Sequence, residues 1–211
     1  MDDLLRATSR AEARHFWFRG FRWFVRPLVA RALSGVARAR VLDCGCGTGN
    51  NLALLAPCAF AAGLDTSAVG LALGRQAGRH GLVRASTATI PFASDSFDLV
   101  TSFDVLYALD DRDERDAVAE MYRVVRPGGA LIVNVAAMPI LRGDHSVLSL
   151  ERRRYTRASL SRLLTAAGFR IERLTYTNAL LFLPMLALRA FHRARGLSTS
   201  HRSEEHTSEL Q

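Results

Sequence analysis

The 211-residue chain contains no lysine, so all 28 of its basic residues are arginine. Its formal charge of +8 raises nucleic acid or an anionic membrane as partners. No basic run interleaves with aromatics as base stacking needs, which argues against nucleic acid. Cysteine is scarce: Cys44, Cys46 and Cys58 are too few and too clustered for a disulfide framework. Cys44 and Cys46 lie one residue apart, and a metal site would need further Cys or His ligands at suitable spacing, so no metal is expected. The first fourteen residues are charged and unlike a signal peptide; a reducing cytoplasm is the expected compartment. There is also no apolar run long enough to span a bilayer, which takes about 20 residues. The longest, Ala179–Phe191, is broken by Pro184 and Arg189. It reads as a core or interface helix first and, with Arg193 and Arg195 beyond it, as a peripheral membrane contact over 179–195 second.

What is present is the composition of one globular domain, 49% hydrophobic and 23% charged. Residues 1–39 carry helical patterns interrupted at Gly20 and Pro27, with an aromatic cluster from His15 to Phe24, and form an N-terminal helical lid. Over 40–177, short apolar strands alternate with helices. Strands are expected at Arg40–Cys44, Ala59–Leu64, Leu82–Ala85, Phe97–Ser102, Ala130–Val135 and Phe169–Thr177. Helices are expected at Gly49–Ala56, from Ser67 to Arg79, over Arg112–Val125 and from Thr156 to Ala167. This alternation predicts a doubly wound, Rossmann-like, mainly parallel α/β sheet.

The chemistry-bearing signal is Val41–Asn50, VLDCGCGTGN, where an apolar strand ends in Asp43 and runs into Gly45, Gly47 and Gly49. Such glycines let the backbone approach a ligand at the carboxyl ends of the strands, and they equally suit a tight strand-to-helix turn. A dinucleotide fingerprint would need glycine at position 50, which is Asn, and this disfavours a nicotinamide-dependent oxidoreductase. Asp65 ends the second strand, where a carboxylate can accept hydrogen bonds from both ribose hydroxyls of an adenosine or can cap the next helix.

Four stretches in this order, VLDCGCGTGN, GLD at 63–65, IPFASDSFDLVTSFDVLYAL and MYRVVRPGGALIVNV, resemble the ordered motifs of class I S-adenosylmethionine-dependent methyltransferases over about Arg40–Val135. The resemblance implies a seven-stranded sheet whose last strand is an antiparallel insertion, and S-adenosylmethionine as cofactor. It places Asp43, Gly45, Gly47 and Gly49 around the cofactor's methionine part and Asp65 on its ribose. Phe103 and Asp104 fall beside the methyl-transfer centre, and Cys46, Asn50 and Thr66 complete the expected cradle. Ser86 stands where relatives carry an Asp for the adenine amino group, so Ser86 or the backbone of Thr87 must serve. Ala108 stands where many carry His, so no base is expected there. These two departures keep open a domain that binds the cofactor without turnover.

The opening HFWFRGFRWF and the stretch RRRYTRASLSRLLTAAGFRIERLTYTNALLFLP resemble a bacterial subgroup with an H-W-W-F-R-like N-terminus, associated with cell-surface polysaccharide or lipid-linked sugar pathways. The implied acceptor is a small molecule or is lipid- or saccharide-linked. His15, Trp17, Arg19 and Arg154 are the candidate acceptor-binding residues, with His145 and Tyr155 as candidate general bases. Arg202–Gln211 resembles a translated sequencing-library adapter and is set aside; residues 178–201 are then an apolar C-terminal helix, and the seventh strand is expected to be missing. Oligomeric state is not encoded in any of these features.

Overall fold

The computed structural model describes residues 16–55, 60–139 and 151–177, and the side chains from residue 18 onward. Helix α1 (Phe16–Ala32) leads into β1 (Arg40–Cys44), a 3-10 turn (Asn50–Leu54), β2 (Phe60–Asp65), α2 (Ala68–Gln76) and β3 (Leu82–Arg84). Then come β4 (Phe97–Phe103), a 3-10 turn (Leu106–Ala108), α3 (Asp111–Val124), β5 (Val125–Asn134) and α4 (Arg157–Ala166). All pairings are parallel in the order β3-β2-β1-β4-β5. The chain winds from β1 to one side, then returns to β1's other flank with β4. The crevice between the carboxyl ends of β1 and β4 is therefore the topological switch point, where open α/β sheets bind ligands.

Both faces of the sheet are covered, which is why β1 and β4 read as continuous apolar runs. Side chains alternate across the sheet, so Val41 and Leu99 share one face with Asp43, Thr101 and Phe103. There they pack with Val25 and Val29 of α1. Leu42 and Val100 point the other way, against Val118, Met121 and Leu164 of α3 and α4.

Helix α1 runs unbroken through Gly20 and Pro27, where an interruption was expected. The proline's missing hydrogen bond and ring clash cost about 3 kcal/mol. Burial of Val25 and Val29, at about 1.5–3 kcal/mol each, offsets that cost, while Pro27 itself lies on the exposed side. Ser67 caps α2 as predicted, its Oγ accepting from the Gly70 N–H at 3.1 Å, and Thr156 caps α4 in a capping box with Ser159.

Three further expectations are corrected. The helix expected over Gly49–Ala56 is a 3-10 turn over Asn50–Leu54 that follows the left-handed Gly49. β5 begins at Val125 instead of Ala130, with residues 126–129 bulging out between the Phe97 and Leu99 pairings. Phe169–Thr177 forms no strand, and nothing among the described residues pairs with the outer edge of β5. That edge instead borders an open groove of about 1500 Å³ between α1, β5 and the 169–177 segment.

A buried polar brace ties α3 to the segment before α4. The Tyr155 hydroxyl donates to Glu114, whose other oxygen accepts from Arg153 at 2.7 Å; Arg153 also reaches the Leu109 carbonyl and Asp111, both at 2.8 Å. Tyr155→Phe should cost about 1 kcal/mol of stability by stranding a Glu114 oxygen, lowering Tm by roughly 2–4 °C in a melting scan. Cofactor affinity should be unchanged; a drop in it alone would show that Tyr155 belongs to the site instead.

Candidate cofactor-binding site

The loop after β1 is shaped by three left-handed glycines, Gly45, Gly47 and Gly49, at φ of 76°, 55° and 76°. Residues with a Cβ rarely adopt this conformation. At Gly45 a Cβ would stand 2.1 Å from Val105 Cγ2, and at Gly49 2.7 Å from Leu82 Cδ2. The loop is as tight as the chain allows, and its N–H groups turn inward: those of Gly45 and Cys46 donate to the Leu64 carbonyl, that of Gly47 to Asp65, and that of Gly49 to the Cys46 carbonyl.

Asp65, at the end of β2, is the loop's anchor. Its Oδ2 accepts from the Gly47 N–H and its Oδ1 from the Ser67 N–H, both at 2.8 Å. Each carboxylate oxygen retains a second lone pair for a ligand hydroxyl. Thr66, next in the chain, is exposed, and its carbonyl accepts from Arg84.

Asp43 is 1% exposed. Thr101 donates to its Oδ1 at 2.7 Å, while Oδ2 has no hydrogen-bond partner among the described residues. Burial pushes this carboxyl up to about 7, against the Thr101 bond, with the neighbouring Asp65 charge adding to the rise. Across the crevice Asp104 ends β4 at φ 60°. Its N–H donates to the Asn134 carbonyl and its Oδ1 accepts from Asn134 Nδ2, both at 2.9 Å. Asp104 is exposed at the rim of the sheet; partial desolvation of its carboxyl pushes it up to about 6, against the Asn134 bond.

The remaining predicted residues have mixed placements. Phe103 is buried and meets Phe21 of α1 edge-on at 5.0 Å, so it joins α1 to the sheet. Ser86 uses its Oγ to accept from the Ala88 N–H in a turn that also buries Thr87. Cys46 is buried at the base of the loop, and desolvation pushes its thiol up, away from thiolate chemistry. Arg19 is exposed on α1. His15, His145 and the side chain of Trp17 lie outside the described residues.

Two candidates have partners within the fold. The Tyr155 hydroxyl donates to Glu114, and burial, together with that bond, raises its pKa. Arg154 is bound along its guanidinium edge by Glu151, at 2.5 and 2.9 Å, and reaches the Ala137 carbonyl.

Sequence reading missed Arg79, Thr101 and Asn134. Arg79 reaches back from beyond α2 to donate to the Thr48 carbonyl at 2.9 Å and to Asn50 Oδ1 at 3.1 Å, latching the far end of the glycine loop. No local signal marks it. Asn134 could have been suspected, as the last residue of a strand ending at the crevice. Arg79→Ala should weaken cofactor binding by about 1–2 kcal/mol, roughly 5- to 30-fold in Kd by calorimetry, with little change in Tm. Equal affinity in variant and parent would exclude the latch.

These features define a Rossmann-like binding domain with an acid-lined crevice at its switch point. With their inner N–H groups spent, the loop glycines offer no ready amide cradle for a pyrophosphate, while Asp43 Oδ2 is a buried acceptor without a donor among the described residues. This set of acceptors suits a cofactor carrying positive charge. The methyltransferase domain family model matches residues 42–133, and the chain belongs to the class I S-adenosylmethionine-dependent methyltransferases, with S-adenosylmethionine as cofactor.

The chain is 34% identical over 178 residues to a malonyl-[acyl-carrier protein] O-methyltransferase of Enterobacter lignolyticus, covering 81% of this chain and 68% of that protein. It is 37% identical over 119 residues to a demethylmenaquinone methyltransferase of Renibacterium salmoninarum, covering 53% and 46%. Several curated relatives are matched over only about half their length. A solved S-adenosylmethionine-dependent methyltransferase from Mesorhizobium loti shares the fold at TM-score 0.59 and 24% identity, covering 78% of this chain and 91% of that one.

Proposed function

We propose that this chain transfers the methyl group of S-adenosylmethionine to a small-molecule or lipid- or saccharide-linked acceptor by direct in-line displacement. The observation that carries the reading is the pairing of an amide-poor glycine loop with the carboxylates Asp43, Asp65 and Asp104 around one crevice. That arrangement favours a sulfonium- and ammonium-bearing ligand over a pyrophosphate.

Asp43, Gly45, Cys46, Gly47, Gly49 and Asn50 surround the methionine end in this reading. Asp65 and Thr66 take the ribose, Ser86 and Thr87 the adenine, and Phe103 and Asp104 border the transfer centre. When bound, the cofactor supplies a methyl group on an already activated leaving group. The protein's work is then to align the acceptor and exclude water, and proximity supplies much of the rate. Where the acceptor must first lose a proton, Asp104 is the carboxylate open to the crevice, oriented by Asn134 and raised toward neutral pH. His145 remains the rival base, and His15 and Trp17 the α1-side residues for the acceptor, while exposed Arg19 lies on the side of α1 away from the groove. The groove along β5 begins beside Asp104 and is lined by Phe21, Phe24 and Leu28, which suits an acceptor with an apolar tail. The names of the malonyl-carrier-protein and demethylmenaquinone relatives agree with such an acceptor. A cytoplasmic bacterial setting, in a pathway handling lipid-linked sugars, is part of the same proposal.

The test is calorimetric binding of S-adenosylmethionine together with release of S-adenosylhomocysteine over a panel including malonyl-carrier protein and a short-chain demethylmenaquinone. Micromolar binding with turnover of one acceptor is the expected result. Binding without turnover on any acceptor replaces the reading with a cofactor-binding domain; tight NADH binding without S-adenosylmethionine binding overturns it.

A further inference from the structure

Helix α1 has two apolar sides. At about 100° per residue, buried Val25 and Val29 with groove-facing Phe21 and Leu28 centre on one direction, and Trp23 stands roughly opposite. Trp23 is 81% exposed. Exposed Ala30 and Pro27 adjoin it, and Arg19 and Arg26, also exposed, lie one turn before and after it. The seventeen residues of α1 contain four arginines and no acid. Among the described residues Glu172 pairs with Arg31 at 3.7 Å, at the far end of the helix from Arg19 and Arg26.

We propose that this outer face of α1 docks on an anionic lipid surface, with Trp23 seated at the headgroup boundary and Arg19 and Arg26 on lipid phosphates. A solvent face gains nothing from an exposed indole, whereas an amphipathic ring is at home where one side is apolar and the other wet. Arginine pairs with phosphate in a fork, and its stem covers the apolar boundary below. A second copy of the chain is a poor occupant, because a two-fold contact here would set Arg19 and Arg26 against their own images. Single-stranded nucleic acid needs successive stacking platforms, and Trp23 stands alone among the described exposed residues of this face. The placement does not depend on methyl transfer. It does put the groove beside α1 within reach of a bilayer.

The experiment is cosedimentation of the full chain with phosphatidylcholine vesicles, with or without about 30% phosphatidylglycerol, at low and high salt. Quenching of tryptophan fluorescence by brominated lipid is read in parallel. Binding to anionic vesicles alone, weakened by salt, is expected. Trp23→Ala should lower the partition coefficient roughly tenfold and remove most of the quenching, and Arg19→Glu with Arg26→Glu should lower it by at least as much. Because all three side chains are exposed, Tm should not move. Arg162→Glu, an exposed charge on α4, should have a small effect.

Several results would overturn the proposal: no vesicle binding, binding indifferent to Trp23 and the two arginines, an equal loss with Arg162→Glu, or a Trp23→Ala change in molar mass by light scattering. Preferential binding of a single-stranded oligonucleotide, lost with the same variants, would reassign the face to nucleic acid and overturn it as well.

Discussion

Asp65→Ala is expected to raise the dissociation constant for S-adenosylmethionine by roughly 150-fold, about 3 kcal/mol. Two effects combine. The carboxylate that would receive the ribose hydroxyls is lost, and the N–H groups of Gly47 and Ser67, each held at 2.8 Å, lose their acceptor. The loop then has no tie at its centre to the end of β2. Asp65→Asn separates the two contributions, because its single carbonyl can still hold one of the two N–H groups; an intermediate loss is expected. Calorimetry on both variants checks this, and a dissociation constant unchanged in Asp65→Ala would remove the residue from the site.

The second large effect is a pH dependence centred on Asp43. Its folded-state pKa, about 7, lies above the ordinary value of 3.8 because the charged form is desolvated. Between those values the unfolded chain has released the proton and the folded chain retains it, so stability falls as pH rises. The contribution is complete below about pH 4 and declines by about 1.4 kcal/mol per pH unit. It is spent above about 7, for a total near 4 kcal/mol. Asp43→Asn should remove that slope, so the variant gains on the parent as pH rises from 5 to 8 in denaturant titrations. A cationic cofactor favours the ionised carboxylate, so its affinity should rise by up to about tenfold per unit as pH climbs toward 7, with proton release on binding. Parallel stability profiles of parent and variant would show that Asp43 does not titrate in this range.

The burial that makes an ionised Asp43 costly suits it to a cationic cofactor. Its Oδ2 has no partner among the described residues, and a ligand bringing a positive charge would supply one. The strained Asp104, at φ 60° and pinned twice by Asn134, is a second investment of the same kind at the opposite rim.

Much of this was legible in the sequence because it is local. Strands with both faces buried read as apolar runs, and Ser67 and Thr156 announce the helices they cap. The alternating glycines at 45, 47 and 49 and the acids at 43 and 65 sit at strand ends, where parallel topology requires a crevice. The helical lid was read with a false break, since Gly20 and Pro27 weaken a helix only until burial of Val25 and Val29 overrides them. Phe169–Thr177 alternates like a strand, but alternation needs a hydrogen-bonding neighbour to become one, and a groove separates this segment from the outer edge of β5.

The sequence by itself determined the doubly wound class, the glycine turn and the acid at the end of β2, because each follows from a period or a backbone requirement within a few residues. Only the tertiary structure decided that Arg79 latches Asn50 from 29 positions away and that Tyr155 spends its hydroxyl on Glu114 across 41. It alone orients Asp104 through Asn134 and turns Trp23 to the outside of α1. Such pairings depend on which distant side chains the sheet brings within about 3 Å of each other, and no local pattern records that distance.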